Sequence, residues 1–219
     1  MANLVIFGAG DIARLAHHYF TTDTAHEVVA FTVDAAYRQA DTLLGLPLCD
    51  AEQVVQRFPP GDVAMFVAIS YTKMNRVRAE KYAAMRAAGY QLLTYVSSRC
   101  TYLASEPPGD NCFILEDNTI QPFVRIGNDV TLWSGNHIGH DSVVGDHSFI
   151  SSHVVVSGHV TIGESCFIGV NATLRNSITI AELTLIGAGA LVMKSTTPRS
   201  VYLGTRAEKF VKTSDDVDL

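Results

Sequence analysis

The chain has 219 residues, 47% of them hydrophobic, which is enough for one large or two small domains. Its formal net charge is −6 with no concentrated basic patch, which argues against a nucleic-acid duplex as partner. No apolar run reaches the roughly 18 residues of a membrane-spanning helix, and the four scattered cysteines, Cys49, Cys100, Cys112 and Cys166, lack CxxC spacing and read as reduced packing residues.

The chain opens on MANLVIFGAG, which enters a strand without a basic leader, so a cytoplasmic protein is expected. Residues 4–7 are a short apolar strand, followed by Gly8-Ala9-Gly10-Asp11-Ile12-Ala13 and a helix to about Phe20. Residues 28–33 form the next strand, ending at Asp34, and residues 63–69 a third. Residues 76–88 form a helix stopped by Gly89, and residues 92–96 a fourth strand. The alternation predicts a small parallel α/β sheet.

The turn at Gly8 and Gly10, with Asp34 closing the next strand, matches a dinucleotide-binding fingerprint. Glycines there let a ligand approach the backbone, and the helix N-terminus favours anions. A hydride-transfer domain is disfavoured, because the segment is too short for two mononucleotide halves. A half-site for a nucleotide-linked substrate remains, beside a turn that only packs strand on helix. Linker chemistry at Glu106-Pro107-Pro108-Gly109-Asp110 marks the passage to a second domain. The predicted division is 1–97 and 98–219, with a first irregular coil near residues 100–103.

From Ile114 to Val192 every sixth residue is a branched aliphatic. A period of six fits neither a helix, at about 3.6, nor an alternating strand, at about 2. It fits short parallel strands joined by tight bends, three to a coil, with residues eighteen apart stacked about 4.8 Å from one another. Small or β-branched residues two positions earlier complete the interior. Gly127, Gly139, Gly145, Gly163, Gly169 and Gly187 directly follow aliphatics of the register, which suits a sharp corner or a close backbone approach. The repeat ends before residues 194–198; residues 202–211 are read as a last strand or short helix, and residues 214–219 as a frayed acidic tail.

Five of the eight histidines fall between 137 and 159. The register puts His140 and Asp141 at a corner, pointing outward. Gly158 lies eighteen residues beyond His140, and His159 eighteen beyond Asp141. An imidazole braced by a carboxylate, with a bare backbone amide above it, is general-base chemistry. His159 is a second candidate, for orienting substrate. His137 is read as a packing residue at the coil edge, and His147 and His153 as surface or subunit-contact residues. No two of the five are eighteen or thirty-six residues apart, so no pair is expected to stack rung on rung.

A short front domain, a hexapeptide-repeat region and the segment Ile138-Gly139-His140-Asp141-Ser142-Val143-Val144-Gly145 together resemble bacterial nucleotide-sugar acetyltransferases. That family includes the bacillosamine and perosamine N-acetyltransferases and the sialic-acid O-acetyltransferases. The resemblance implies a Rossmann-like domain followed by a left-handed parallel β-helix, although parallel crossovers are usually right-handed. It implies acetyl-CoA as co-substrate and a nucleotide-linked amino sugar as acceptor, in surface polysaccharide biosynthesis such as that of O-antigen. His140 would be the base, Asp141 its support and the Gly158 amide the thioester-carbonyl donor. Coenzyme A would run between neighbouring subunits of a homotrimer, past Ser151, Ile168, Gly169, Gly187 and Ala188. Gly8, Gly10, Asp34 and His159 would hold the nucleotide sugar. Two departures stand out: Asp11-Ile12-Ala13 replaces a glycine-histidine type turn, and Gly204-Thr205-Arg206-Ala207 replaces a Gly-x-Pro-Ala motif.

Sugar O-acetylation uses the same machinery and is the first alternative. A trimeric zinc hydratase built on the same β-helix is a second, but it needs three converging histidines, and no metal is expected here. A non-catalytic scaffold is the third.

Overall fold

The computed structural model describes residues 1–209, 211 and 213–216. The front domain is a five-stranded sheet in the order β3-β4-β2-β1-β5, built from β1 (Asn3–Phe7), β2 (Glu27–Val33), β3 (Thr42–Leu43), β4 (Leu46–Asp50) and β5 (Ala64–Val67). β1 pairs in parallel with both β2 and β5, and β2 with β4. Only β3 runs antiparallel, in a hairpin the sequence reading missed; the turn holds Leu44 and Gly45, both at positive φ. Helix α1 spans Asp11–Asp23, α2 Val54–Arg57 and α3 Arg76–Ala87. The sheet is buried on both sides. Leu4, Ile6 and Phe66 pack toward α1, and Val5, Phe7 and Met65 toward Tyr82 of α3.

The expected fourth strand divides. Leu92 bridges to Met65 of the front sheet, whereas Tyr95–Val96 pairs with Phe113–Ile114. The chain therefore passes from the front sheet to the stacked strands between these residues.

That second domain is a parallel β-helix with three faces. The first stacks Tyr95–Val96, Phe113–Ile114, Thr131–Leu132, Phe149–Ile150, Phe167–Ile168, Leu185–Ile186 and Val201–Tyr202. The second stacks Thr101–Tyr102, Thr119–Ile120, His137–Ile138, Val155–Val156, Thr173–Leu174 and Leu191–Val192. The third stacks Arg125–Ile126, Val143–Val144, Thr161–Ile162 and Thr179–Ile180. Every cross-rung pair joins residues eighteen apart within the repeat, for instance Ile138 with Val156. Each strand contributes one inward aliphatic, and Ile114, Ile120, Leu132, Ile138, Ile150, Val156 and Ile168 are completely buried in one continuous core. Burial of each such side chain stabilises the coil by about 1.5–3 kcal/mol.

The inward small residues hold the rungs by hydrogen bonds as well. The Ser142 hydroxyl donates to the Ser157 carbonyl (3.1 Å) and accepts from the Val160 amide (3.1 Å), while the Asn136 side chain accepts from Val154 N (2.7 Å). These buried polar atoms are satisfied by backbone of the next coil, which pins the eighteen-residue register.

The glycines following the aliphatics serve close approach, not the corner bend. A Cβ on Gly139 would stand 2.6 Å from Gly158 N of the next coil. The bend is made two residues later in the left-handed region, by Asp129, Asp141 and His147 at φ between 55° and 60° and by Gly189 at 65°; His153 and His159 bend the chain at the corners that follow Ser151 and Ser157. After Val192 the chain adds the strand Val201–Tyr202, with no strand or helix over residues 203–209, and Ser214–Asp216 is a 3-10 turn; the expectations for residues 210 and 217–219 lie outside the described residues. No helix of the described residues is long and apolar enough to cross a membrane.

The front domain lies against the first face. Tyr95 and Phe113 point outward from it into a cluster with Tyr19, Phe20 and Phe66. Asp23, at the end of α1, accepts from the Tyr95 hydroxyl (2.7 Å) and the Ser98 amide (2.8 Å). Bonds from Ser98 and then Tyr95 hold its carboxyl below the usual range. A depressed carboxylate stabilises the fold at neutral pH, and that contribution is lost as pH falls from about 4 through the lowered folded value. Urea midpoints measured from pH 7 downward are expected to fall less steeply below about pH 4 in Asp23→Asn than in the parent chain.

A second clamp is fully buried. Arg78 of α3 is 2% exposed. Its guanidinium donates to the carbonyls of Asp129 (3.0 Å) and His147 (2.8 Å), and its Nε lies 3.1 Å from Asp129 Oδ2. The other Asp129 oxygen accepts from Asn111 (2.8 Å), whose Oδ1 accepts from Val67 N of β5 (2.7 Å). His147 Nδ1 donates to Asp129 Oδ2 (2.8 Å), and its ring meets Tyr82 edge-on. His147 is thus not a surface or subunit-contact residue, as the sequence suggested. The corner carrying it is the one on which α3 docks.

Candidate active site

The edge where the second and third faces meet carries residues 139–142 on one rung and 157–160 on the next. Gly139 lets the two rungs approach, and residue 140 then turns outward. The His140 amide donates to Gln121 Oε1 (2.9 Å), and its carbonyl accepts from His159 N (2.9 Å). Both bonds fix the backbone from which the imidazole projects.

His140 Nδ1 lies 2.8 Å from Asp141 Oδ2. An ionised carboxylate only accepts, so Nδ1 carries the proton and Nε2 keeps its lone pair. Nε2 faces Gly158: a Cβ there would stand 2.7 Å from it. The Gly158 amide makes no hydrogen bond among the described residues, so it stays available as a donor. The side chains of His140, Asp141 and His159 are 53%, 41% and 59% exposed. An exposed imidazole, the carboxylate its Nδ1–H donates to and an amide with no partner among the described residues are therefore brought together at the positions the register assigned them.

His159 is brought to the same point. Its ring meets that of His140 edge-on, with centroids 5.0 Å apart, and its Nε2 is 3.9 Å from Asp141 Oδ2. This corrects the expectation that no two histidines pair across rungs. Their offset is nineteen, and the corner residue His159, at φ 58°, is tied to the preceding rung by its amide, which donates to the His140 carbonyl (2.9 Å). Sequence spacing alone cannot register such a one-residue diagonal.

Of the residues expected along an intersubunit coenzyme groove, four lie together. Ser151, Gly169 and Gly187 form a column on the edge between the first and second faces, with Ala188 exposed beside it. Ile168 is corrected: its side chain is entirely interior, so it offers no side chain to an outer groove. Gly187 is covered by Leu203, 3.1 Å from where its Cβ would be. Within one protomer this column and His140 occupy different edges.

In the front domain, Gly8 has φ +139 and a Cβ there would meet Ala68 O at 2.5 Å, so this glycine is required for packing. Gly10, at the start of α1, faces open space. Asp34 is paired with Lys81 Nζ at 2.8 Å, which neutralises the acid expected to bind a sugar or base. A cleft along α1 is lined by Asp11, Arg14, Leu15, His17, His18 and Leu44. Sequence reading missed Arg14 and the His17-His18 pair; the visible signal was three basic-type side chains within one turn of the helix that follows the glycine turn.

Residues 124–158 match the family described as bacterial transferase hexapeptide, six repeats. Among solved structures, the chain is similar to PerB from Caulobacter crescentus, determined with CoA and GDP-perosamine: 24% identity, 93% of this chain and 95% of that one, TM-score 0.77. It is similar to the acetyltransferase domain of PglB from Neisseria gonorrhoeae, at 18% identity over 96% and 100% of the two chains, TM-score 0.82. WeeI from Acinetobacter baumannii matches at 21% identity over 90% and 94%, TM-score 0.75. The chain has their fold. It is a left-handed β-helix of hexapeptide repeats behind a small Rossmann-like domain, as the sequence led us to expect.

One substitution isolates the local geometry. Gly158→Ala puts a methyl 2.7 Å from His140 Nε2, inside van der Waals contact, and forces the ring to shift. Turnover of any reaction using Nε2 is expected to fall by up to about 100-fold, since a displacement of about 1 Å is sufficient for that loss. Circular dichroism is expected to remain that of the parent, because Gly158 is at the surface side of the rung.

Proposed function

We propose that this protein is an acyltransferase that moves acetyl from acetyl-CoA to the amino group of a nucleotide-linked amino-deoxy sugar, in the cytoplasmic stage of surface-glycan synthesis. The observation that carries this reading is the His140–Asp141 pair beside the Gly158 amide on an outer edge of the prism. Two of the similar structures support the choice of co-substrates: PerB was determined with CoA and GDP-perosamine, and the PglB domain with acetyl coenzyme A.

The step runs as follows. His140 Nε2 accepts a proton from the attacking amine as nitrogen adds to the thioester carbonyl. Asp141 holds Nδ1–H and stabilises the imidazolium. The Gly158 N–H donates to the oxyanion. Collapse breaks the C–S bond, and the imidazolium returns the proton to the coenzyme A thiolate. The amide product leaves, with His140 neutral again.

The front domain covers the first face, while His140 lies on the opposite edge. A homotrimer resolves this, because a neighbour can bring its own edge, with Ser151, Gly169 and Ala188, alongside His140. Val155 and Leu191, outward on the second face and 41% and 66% exposed, supply apolar area for that contact. Gly10 and the α1 cleft are the parts of the front domain open to a nucleotide sugar; Gly8 and Asp34 act there through packing and through Lys81. The reading requires no metal.

The test is direct. The purified chain is incubated with acetyl-CoA and a panel of uridine-, thymidine- and guanosine-linked amino sugars, alongside hydroxyl acceptors, and products are weighed by mass spectrometry. An added acetyl on an amino sugar is expected. Acetyl on hydroxyl acceptors alone would make it an O-acetyltransferase, and no acetyl on any acceptor would defeat the reading. Native mass spectrometry of the same sample is expected to show a trimer.

A further inference from the structure

One ligand atom from each of His140, Asp141 and His159 lies within 4.8 Å of the others, with all three side chains open to solvent. Two imidazoles and a carboxylate form a donor set suited to a borderline divalent ion such as zinc, and poorly suited to magnesium or calcium, which take oxygen ligands. Around a tetrahedral zinc, ligand atoms are about 3.3 Å apart. The distances from Asp141 Oδ2, 2.8 Å to His140 Nδ1 and 3.9 Å to His159 Nε2, bracket that spacing. The rings already meet edge-on at 5.0 Å, so small χ rotations of exposed side chains suffice to converge on one ion.

We infer that His140, Asp141 and His159 form a reversible zinc-class site, and that filling it shuts off the base. A neutral imidazole has one lone-pair nitrogen. In the free state that nitrogen is Nε2, because Nδ1–H donates to Asp141. An ion on Nδ1 moves the proton to Nε2, the nitrogen beside Gly158, which can then no longer accept one. The ion also takes the carboxylate that braces the ring. Binding rests on geometry alone; the shut-off rests on the reading of His140 as base.

The full chain, stripped with chelator, is titrated with cobalt followed by absorbance, and with zinc followed by calorimetry. One ion per chain is expected, with the visible bands of a four-coordinate cobalt site. His159→Ala and Asp141→Asn are each expected to weaken binding at least about tenfold. His153→Ala, an exposed histidine on another edge, is expected to leave affinity unchanged. Absence of saturable one-to-one binding, or parental affinity in His159→Ala, would overturn the site. In the acetyl-transfer assay, saturating zinc is expected to stop turnover and chelator to restore it; undiminished turnover with zinc bound would overturn the shut-off. The metal titration reads the same way whether or not acetyl transfer is found, so failure of one is distinguishable from failure of the other.

Discussion

His140→Ala is expected to lower turnover with acetyl-CoA by about 10²–10⁴-fold while leaving the fold intact. The ring is half-exposed and contributes little packing, so circular dichroism and thermal midpoint should match the parent. The loss comes from the proton that Nε2 would accept during attack. Asp141→Asn separates the two roles of the pair. An amide can present its NH2 to Nδ1, which favours the tautomer protonated on Nε2, so a loss in kcat with KM largely unchanged is expected. Near-parental turnover in His140→Ala would remove the base from the proposed mechanism.

Arg78→Ala is expected to be the most damaging substitution away from that site. The guanidinium is buried and joins α3 to the carbonyls of Asp129 and His147 and to the Asp129 carboxylate. Removing one partner of such a pair leaves an uncompensated buried charge, at a cost of about 3–5 kcal/mol. For a chain of this size that is a fall of roughly 6–20 °C in thermal midpoint. Arg78→Lys should recover only part of it, because an ammonium cannot reproduce the planar fork that reaches Asn75, Asp129, His147 and Ser148 together. A midpoint unchanged by Arg78→Ala would mean that the front domain is held by the aromatic contacts of Tyr19, Tyr95 and Phe113 instead.

The β-helix was legible because its signal repeats. One aliphatic in six, from Ile114 to Val192, leaves no other regular structure that buries all of them, and hydrogen-bonded stacking then converts a spacing of eighteen into adjacency. His140 beside Asp141, with Gly158 above, follows from that arithmetic. What failed was everything diagonal or between domains. The His140–His159 contact joins residues nineteen apart across a corner, a diagonal that spacing does not encode. Arg78 reads in sequence as one more solvated charge on a helix; its partners lie 51 and 69 residues away, and its burial exists only once α3 meets the corner. The hairpin at residues 42–50 went unseen because its strands are short and its second strand contains Pro47.

The amino-acid sequence by itself determined the coil, its register and the outward imidazole with its acid, because periodic burial of apolar side chains admits one solution at this period. Only the tertiary structure decided which edge of the prism remains open. Phe113 and Tyr95 anchor the front domain to the first face and Arg78 locks it to the adjoining corner, so the edge bearing His140, Asp141 and His159 is left to solvent. Pairing across long sequence separations carries no local pattern; it arises when two folded surfaces bury complementary groups together.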